Sequence, residues 1–334
     1  MVRKNTSAPT RRQAIATLGA AALAPFAAAG PAFAQQQWPK GRNLKMVVPF
    51  PPGGATDVIA RILADKLAQI WGTAVIIENK GGAGGNIGME QVARSEPNGD
   101  TMMMGTFGLA INPALYKSLK FDPITDFAPI SLVTIMPNML VCPVSAPFNS
   151  VAELIAYGKA NPGKLTYASS GIGTSIHLCG ELFKKMTGVQ MVHAPYRGSA
   201  QAVQDLVAGR VDLMFDNITS SLPQVQGKTL KALAVTTPKR SPFVPELPPV
   251  ADTVPGFEVS AWFGTLAPAK TPPEIVEKIS RDTKIALQDP AVKGKLDALA
   301  AESVGSTPQE FAALIKSETD KWGKLIREEK ITAE

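Results

Sequence analysis

Two short runs constrain this chain more than any other feature. Pro49-Phe50-Pro51-Pro52-Gly53-Gly54-Ala55-Thr56-Asp57 and Ser169-Ser170-Gly171-Ile172-Gly173-Thr174-Ser175 each follow a short β-like segment and lead into an amphipathic helical pattern. Strand, loop and helix repeated in that order give a parallel sheet with helices on its faces. Loops of Gly, Ser and Thr at a helix start present free backbone N–H groups and hydroxyls beside the positive end of the helix dipole. Two of them on one chain imply an α/β protein whose two lobes close on a small anion.

The surrounding pattern agrees. Strands are expected at 45–48, 74–78 and 101–104, with helices at 58–70, after a Thr56 or Asp57 cap, and at 87–94. Residues 131–143 read as one or two strands interrupted by Pro137. A second α/β series starts with the capping box Ser150-Val151-Ala152-Glu153. It continues with a strand at 165–168, a helix at 175–187, a strand at 191–194 and a helix at 199–208 ended by Gly209. Strands follow at 211–215 and 230–235, a Pro-rich loop at 238–256 and an extended segment at 257–266. The remainder is helical, with cap-plus-proline starts at Asp289-Pro290 and Thr307-Pro308. A strand leaving the first lobe near 131–143 and one returning near 257–266 make a two-strand hinge. Lobe one is then 38–138 plus 262–334, and lobe two is 139–261.

The amino terminus reads as an export signal over 1–34. Arg3, Lys4, Arg11 and Arg12 precede a small apolar stretch, and Ala32-Phe33-Ala34 fits the cleavage pattern, so the mature chain is expected to start near Gln35. Thr10-Arg11-Arg12 resembles a twin-arginine signal without its usual Phe-Leu, so the twin-arginine and general secretory routes both stand. No later segment approaches the ~20 apolar residues of a membrane span, and a soluble mature protein is expected. Of 34 Lys and Arg, four fall in the signal, leaving 30 against 28 Asp and Glu. That balance argues against nucleic acid as a partner. Cys142 and Cys179 have no metal spacing, and His177 and His193 are the only two histidines, too few ligands for a structural zinc site. The cysteines read as two buried thiols or, in an oxidising compartment, a disulfide.

Both loops admit a plain reading, a tight turn with a helix cap, beside a carboxylate-binding one. Gly53, Gly54, Ala55, Thr56 and Asp57 supply backbone donors. Ser170 to Ser175 adds three hydroxyls and two glycines before one helix. Thr106 ends a strand on the same side, with Phe50 and Phe107 as apolar walls or core aromatics. Asp216 and Asn217 follow a strand and offer polar groups to the cleft, or cap a turn. Trp262 reads as hinge packing. Gly81 to Gly88 matches neither G-x-G-x-x-G nor a P-loop, so it reads as a turn letting a helix lie close to the sheet. No G-x-S-x-G elbow occurs, and neither histidine has a Ser or Cys partner evident in sequence. No catalytic residue, metal or cofactor is expected.

In order along the chain, these residues resemble a family. The marks are Val48-Pro49-Phe50-Pro51-Pro52-Gly53-Gly54 with Asp57 and Ala60-Arg61; Glu78-Asn79-Lys80 with Gly82-Ala83-Gly84-Gly85; and Asn112-Pro113 with Leu115-Tyr116 and Asp126-Phe127. Further along stand Tyr167-Ala168-Ser169-Ser170-Gly171 with Gly173-Thr174 and His177-Leu178, and Pro195-Tyr196-Arg197-Gly198. The chain resembles the extracytoplasmic receptors of tripartite tricarboxylate transporters, also called Bug proteins, over essentially all of its mature length. The resemblance implies a two-lobed periplasmic binding protein of the type II-like flytrap class with no enzymatic activity. It implies a ligand carboxylate held by the loops Phe50 to Asp57 and Ser169 to Ser175, partly through waters. It also implies delivery by a monomer to membrane permease subunits encoded elsewhere; a sensor feeding a membrane signalling protein is the alternative. Cys179 stands where the family has a small residue. The absence of arginine from both loops, with Asp216 nearby, leans toward a monocarboxylate, an aromatic acid or an amino acid over a dicarboxylate.

Overall fold

The structure, a computed structural model, describes residues 38–328 and 331–333. The expected export signal lies outside the described residues. The chain runs β1 (Leu44–Val48), α1 (Ala55–Trp71), β2 (Val75–Asn79), α2 (Asn86–Ala93), β3 (Thr101–Thr106), α3 (Gly108–Leu115) and β4 (Phe127–Pro143). It continues as α4 (Val151–Ala160), β5 (Leu165–Ser169), α5 (Ser175–Thr187), β6 (Met191–Pro195), α6 (Ser199–Val207), β7 (Leu213–Asn217), α7 (Ile218–Gln226) and β8 (Leu230–Val235). After a long loop come β9 (Ser260–Pro268), α8 (Pro273–Gln288), α9 (Pro290–Asp297), β10 (Glu302–Ser303) and α10 (Pro308–Glu328).

The strands join in the order β2-β1-β3-β9-β4-β7-β5-β6, with β10 and β8 also pairing with β4. Pairing is parallel where helices make the crossover, as in β1 with β2 and β3, and β5 with β6 and β7. It is antiparallel around β4 and β9. Side chains alternate across the pleat. Met46, Val48, Met102 and Met104 enter one core with Ile59, Leu63 and Leu67 of α1 and Val203 and Leu206 of α6. Val47 and Met103 enter the other, with Leu178 and Phe183 of α5 and Phe311, Ile315 and Trp322 of α10.

The structure resolves several expectations that stood open and corrects others. β4 is one continuous strand, not two. Its pairing with β9 ends at Pro137 opposite Ser260, and its pairing with β7 begins at Asn138 opposite Asn217. Pro137 sits where the strand changes partners, so its missing N–H is tolerated. Neither Thr56 nor Asp57 caps α1. The helix starts at Ala55 after Gly54, and the Asp57 carboxylate reaches back to accept from the Gly53 N–H at 3.0 Å. β7 lies two residues later than expected, because Asp212 is spent accepting from the Thr166 N–H at 2.7 Å and hydroxyl at 2.8 Å. Helices α3 and α7 were not expected, since each carries an internal proline, Pro113 and Pro223. Cys142 and Cys179 are both free and buried. Burial raises both thiols, Cys142 to about 12, so neither is a nucleophile at neutral pH. Among the described residues no helix is long and apolar enough to cross a membrane.

Candidate functional site

The first loop is held from behind. The Asp57 carboxylate accepts from Arg61 Nε at 3.0 Å and Nη2 at 2.9 Å, and from Asn79 Nδ2 at 2.9 Å. Asn79 Nδ2 also donates to the Phe50 carbonyl at 3.0 Å. Burial alone would raise the Asp57 carboxyl, but the bonds from Arg61, Asn79 and Gly53 hold it below the usual carboxylate range.

The second loop is braced by rings. His193 stacks between Tyr167 at 4.7 Å and His177 at 4.4 Å, centroid to centroid. Ser169 Oγ lies 2.7 Å from His193 Nε2 and accepts from the Gly171 N–H at 3.2 Å. The Gly173 N–H donates to His177 Nδ1 at 3.4 Å. Thr174 caps α5: its hydroxyl accepts from the His177 N–H at 3.3 Å and donates to the Gly171 carbonyl at 2.8 Å. Burial drives both imidazoles to the neutral form, His177 down to about 4 and His193 down to about 3.

Between the two loops lies a cavity of about 210 Å³, smaller than the ~300–1,000 Å³ of drug-sized sites and so matched to a small ligand. Five helices begin on it: Gly54, Ala55 and Thr56 at α1; Gly108 at α3; Thr174 and Ser175 at α5; Gly198 to Gln201 at α6; and Asn217, which precedes α7. The first N–H groups of each helix have no partner within that helix, and the dipoles sum toward the cavity. Phe50, Pro51, Pro52, Phe107, Trp262 and Phe263 form an apolar side, and none of the lining side chains is acidic or basic. Such a cavity suits a small anion with an apolar body and lacks a counter-charge for a cation.

Nine of the expected site residues line it: Phe50, Gly54, Ala55, Thr56, Thr106, Ser170, Thr174, Ser175 and Asn217. Gly53, Asp57, Ser169, Gly171 and Gly173 instead shape the loops from behind. Asp216 does not reach the cavity. The later register of β7 puts it inside the strand, fully buried against Ser199 and Ser221. Sequence reasoning missed Gly198 to Gln201, although the glycine before that helix after β6 repeats the pattern of the other two loops. It also missed Ala261 and Phe263, and read Trp262 as packing. Trp262 does pack, at 6.4 Å from Phe107 and 5.6 Å from Phe311, and it lines the cavity as well.

The loop at Gly84 and the loop at Ile172 and Gly173 also approach closely beside the cavity. A Cβ on Gly84 would stand 2.2 Å from the Ile172 carbonyl oxygen, and one on Gly173 would stand 2.0 Å from Asn112 Oδ1. Tyr116 Oη donates to the Ile172 carbonyl at 3.2 Å. The Gly81 to Gly85 run thus serves close backbone approach rather than a phosphate.

The model for the tripartite tricarboxylate transporter family receptor matches residues 59–331. A protein of a Pseudomonas species, from the tcbD-tcbE intergenic region, is 41% identical over 87% of this chain and 88% of its own length. Among solved structures, the periplasmic binding protein BugD is 38% identical, with a TM-score of 0.84, over 87% of this chain and 99% of BugD. An R. palustris protein with adipate is 38% identical, with a TM-score of 0.86, over 88% of this chain and 99% of its own. MatC from Rhodopseudomonas palustris with bound malate is 32% identical, with a TM-score of 0.82, over 86% and 99%. The α/β fold built on β4 and β9 is therefore that of these periplasmic binding proteins, and the chain belongs to the tripartite tricarboxylate transporter receptor family, a family of solute-binding receptors rather than enzymes.

Proposed function

We propose that this protein captures a small organic carboxylate in the cavity between its two halves and delivers it to membrane permease subunits made from other genes. The observation that carries this reading is the convergence of five helix starts on a cavity with no ionisable lining side chain. Backbone N–H groups, the hydroxyls of Thr56, Thr106, Ser170, Ser175 and Ser199, and the amides of Gln201 and Asn217 would share one carboxylate. A charge-assisted hydrogen bond contributes roughly 1.5–3 kcal/mol, so four to six suffice for micromolar affinity, about −8 kcal/mol, without an arginine. The neighbours that hold adipate and malate support the ligand class.

In this reading residues 38–138 plus 262–334 form one lobe and 139–261 the other, hinged on β4 and the segment leading into β9. The ligand touches both lobes only when they close, so binding shifts an open–closed equilibrium. Residues 1–34 direct export to the periplasm.

A thermal-shift scan against mono-, di- and tricarboxylates, aromatic acids, amino acids, sugars and nucleotides tests the reading. A ligand at a hundred times its dissociation constant adds about 2.7 kcal/mol of stability. Shifts confined to carboxylates are expected; a response to sugars or nucleotides alone would refute it.

A further inference from the structure

Asp216 stands one hydroxyl behind the cavity wall. It is fully buried on β7. Its Oδ1 accepts from Ser199 Oγ at 2.9 Å and its Oδ2 from Ser221 Oγ at 2.5 Å. Ser199 lines the cavity; Ser221 does not. The elements packed around the carboxyl offer it no cation. Helix α7 carries no ionisable side chain, and β4 carries only the Cys142 thiol. The one ionisable group on α6, Asp205, is tied to Arg210 at 2.6 Å and to Tyr196 at 2.8 Å. His177, His193 and Glu181 belong to the opposite face of the sheet, with Tyr167 and Phe215. Burial pushes the Asp216 carboxyl up to about 6, against the lowering effect of Ser221, Ser199 and the Asn217 backbone.

A serine hydroxyl has one proton to give. While Asp216 is ionised, Ser199 gives that proton to Oδ1 and turns only lone pairs toward the cavity, which repel a carboxylate. When Asp216 is protonated, its O–H donates to Ser199 Oγ, and the Ser199 proton is free to point at the ligand. A second negative charge in the same dry space further favours the protonated acid.

We propose that Asp216 is a positioning residue that sets the direction of the Ser199 hydroxyl, and that a carboxylate entering the cavity is accompanied by uptake of one proton from solvent onto Asp216. One O–H bond forms at the Asp216 carboxyl, and the buffer supplies the proton. The proposal rests on the carboxylate reading and sharpens it: the site binds an anion together with a proton.

The test is calorimetric titration of the purified protein with adipate, malate, benzoate and glutamate between pH 6 and 8, in phosphate and in Tris, whose ionisation heats differ widely. For an acid that binds, the expected result is a heat that differs between buffers as proton uptake requires. Its affinity should fall toward tenfold per pH unit as pH rises above 6. Asp216→Asn, whose amide donates to Ser199 at every pH, should bind with the same heat in both buffers and a flat pH profile. Binding by the wild type with buffer-independent heat overturns the proton linkage and leaves the carboxylate reading standing. Proton uptake that persists in Asp216→Asn also overturns it, by putting the proton elsewhere. No binding of any of the four acids at pH 6 overturns both readings. If the variant does not fold, the wild-type buffer comparison alone decides.

Discussion

Asn217 Nδ2 donates to Asn138 Oδ1 over 3.2 Å, linking the cavity wall to the point where β4 changes partners. Asn138 Nδ2 donates in turn to the Phe215 carbonyl at 2.7 Å and to Ser175 Oγ at 3.3 Å. Its backbone N–H donates to Thr236 Oγ1 at 2.9 Å, and Thr236 Oγ1 donates to the Val259 carbonyl at 2.6 Å. One wholly buried amide therefore links β4 and the segment leading into β9 with two residues of the site. Asn138→Ala strands Asn217 and the Phe215 carbonyl, each at about 1–3 kcal/mol for a buried unpaired group. A stability loss of that order and a weaker complex are expected, by chemical denaturation and calorimetry. Unchanged affinity would mean that this partner change in β4 does not support the site.

Asp57 should matter without touching the ligand. Asp57→Ala removes the acceptor of the Gly53 N–H and of Arg61 and leaves the loop that carries Phe50 held only through Asn79. Loss of hydrogen bonds to a charged group costs roughly 1.5–3 kcal/mol, and the dissociation constant should rise at least severalfold. Asp57→Asn, which keeps the shape and loses the charge, should fall between. A binding isotherm for each variant checks the order.

Much of this could be read locally and some could not. Helix α5 was expected at 175–187 and is found there, because Thr174 closes one end with its hydroxyl and Gly188 ends the other at φ +73°. The two loops were legible for the same reason: each is written by adjacent residues. The aromatic side of the cavity was not. Phe263 reaches it because it pairs with Thr106, far away in sequence, and no local periodicity encodes such a pairing. Asp216 misled because a two-residue shift of β7 moves its carboxyl from a strand end into the core.

Gly84 tests the proposed closure. Gly84→Ala places a methyl where the Ile172 carbonyl stands, at a residue with φ +63°. In the proposed two-lobed reading the lobes must then part to relieve the clash. Affinity is expected to drop more than tenfold, and small-angle scattering with saturating ligand should show a larger radius of gyration than the wild type. Equal radii would mean that the contact yields without opening.

Acid should unfold this protein through its histidines. The folded values near 4 for His177 and 3 for His193 lie below the ordinary 6.5. The unfolded chain therefore binds more protons as pH falls from 6.5 toward 4, and stability is lost in that window. Asp216 acts oppositely: its raised value, about 6 against 3.8, adds stability as pH falls through 6. Each histidine is displaced further than the carboxyl, so the melting temperature should decline between pH 6.5 and 4. A rise would mean the imidazoles are already charged in the fold.

The pairing of β3 with β9 sets a schedule for the chain as it is made. Met103 meets Leu266, about half the chain later, and Thr134 of β4 meets Ser303 later still. The first three strands therefore leave the ribosome with one edge open and cannot gain β9 as a partner until most of the remaining residues have been synthesised. Pairing across such sequence distances slows folding. The contact of β3 with β9 thus makes the centre of the sheet the last part of it to close.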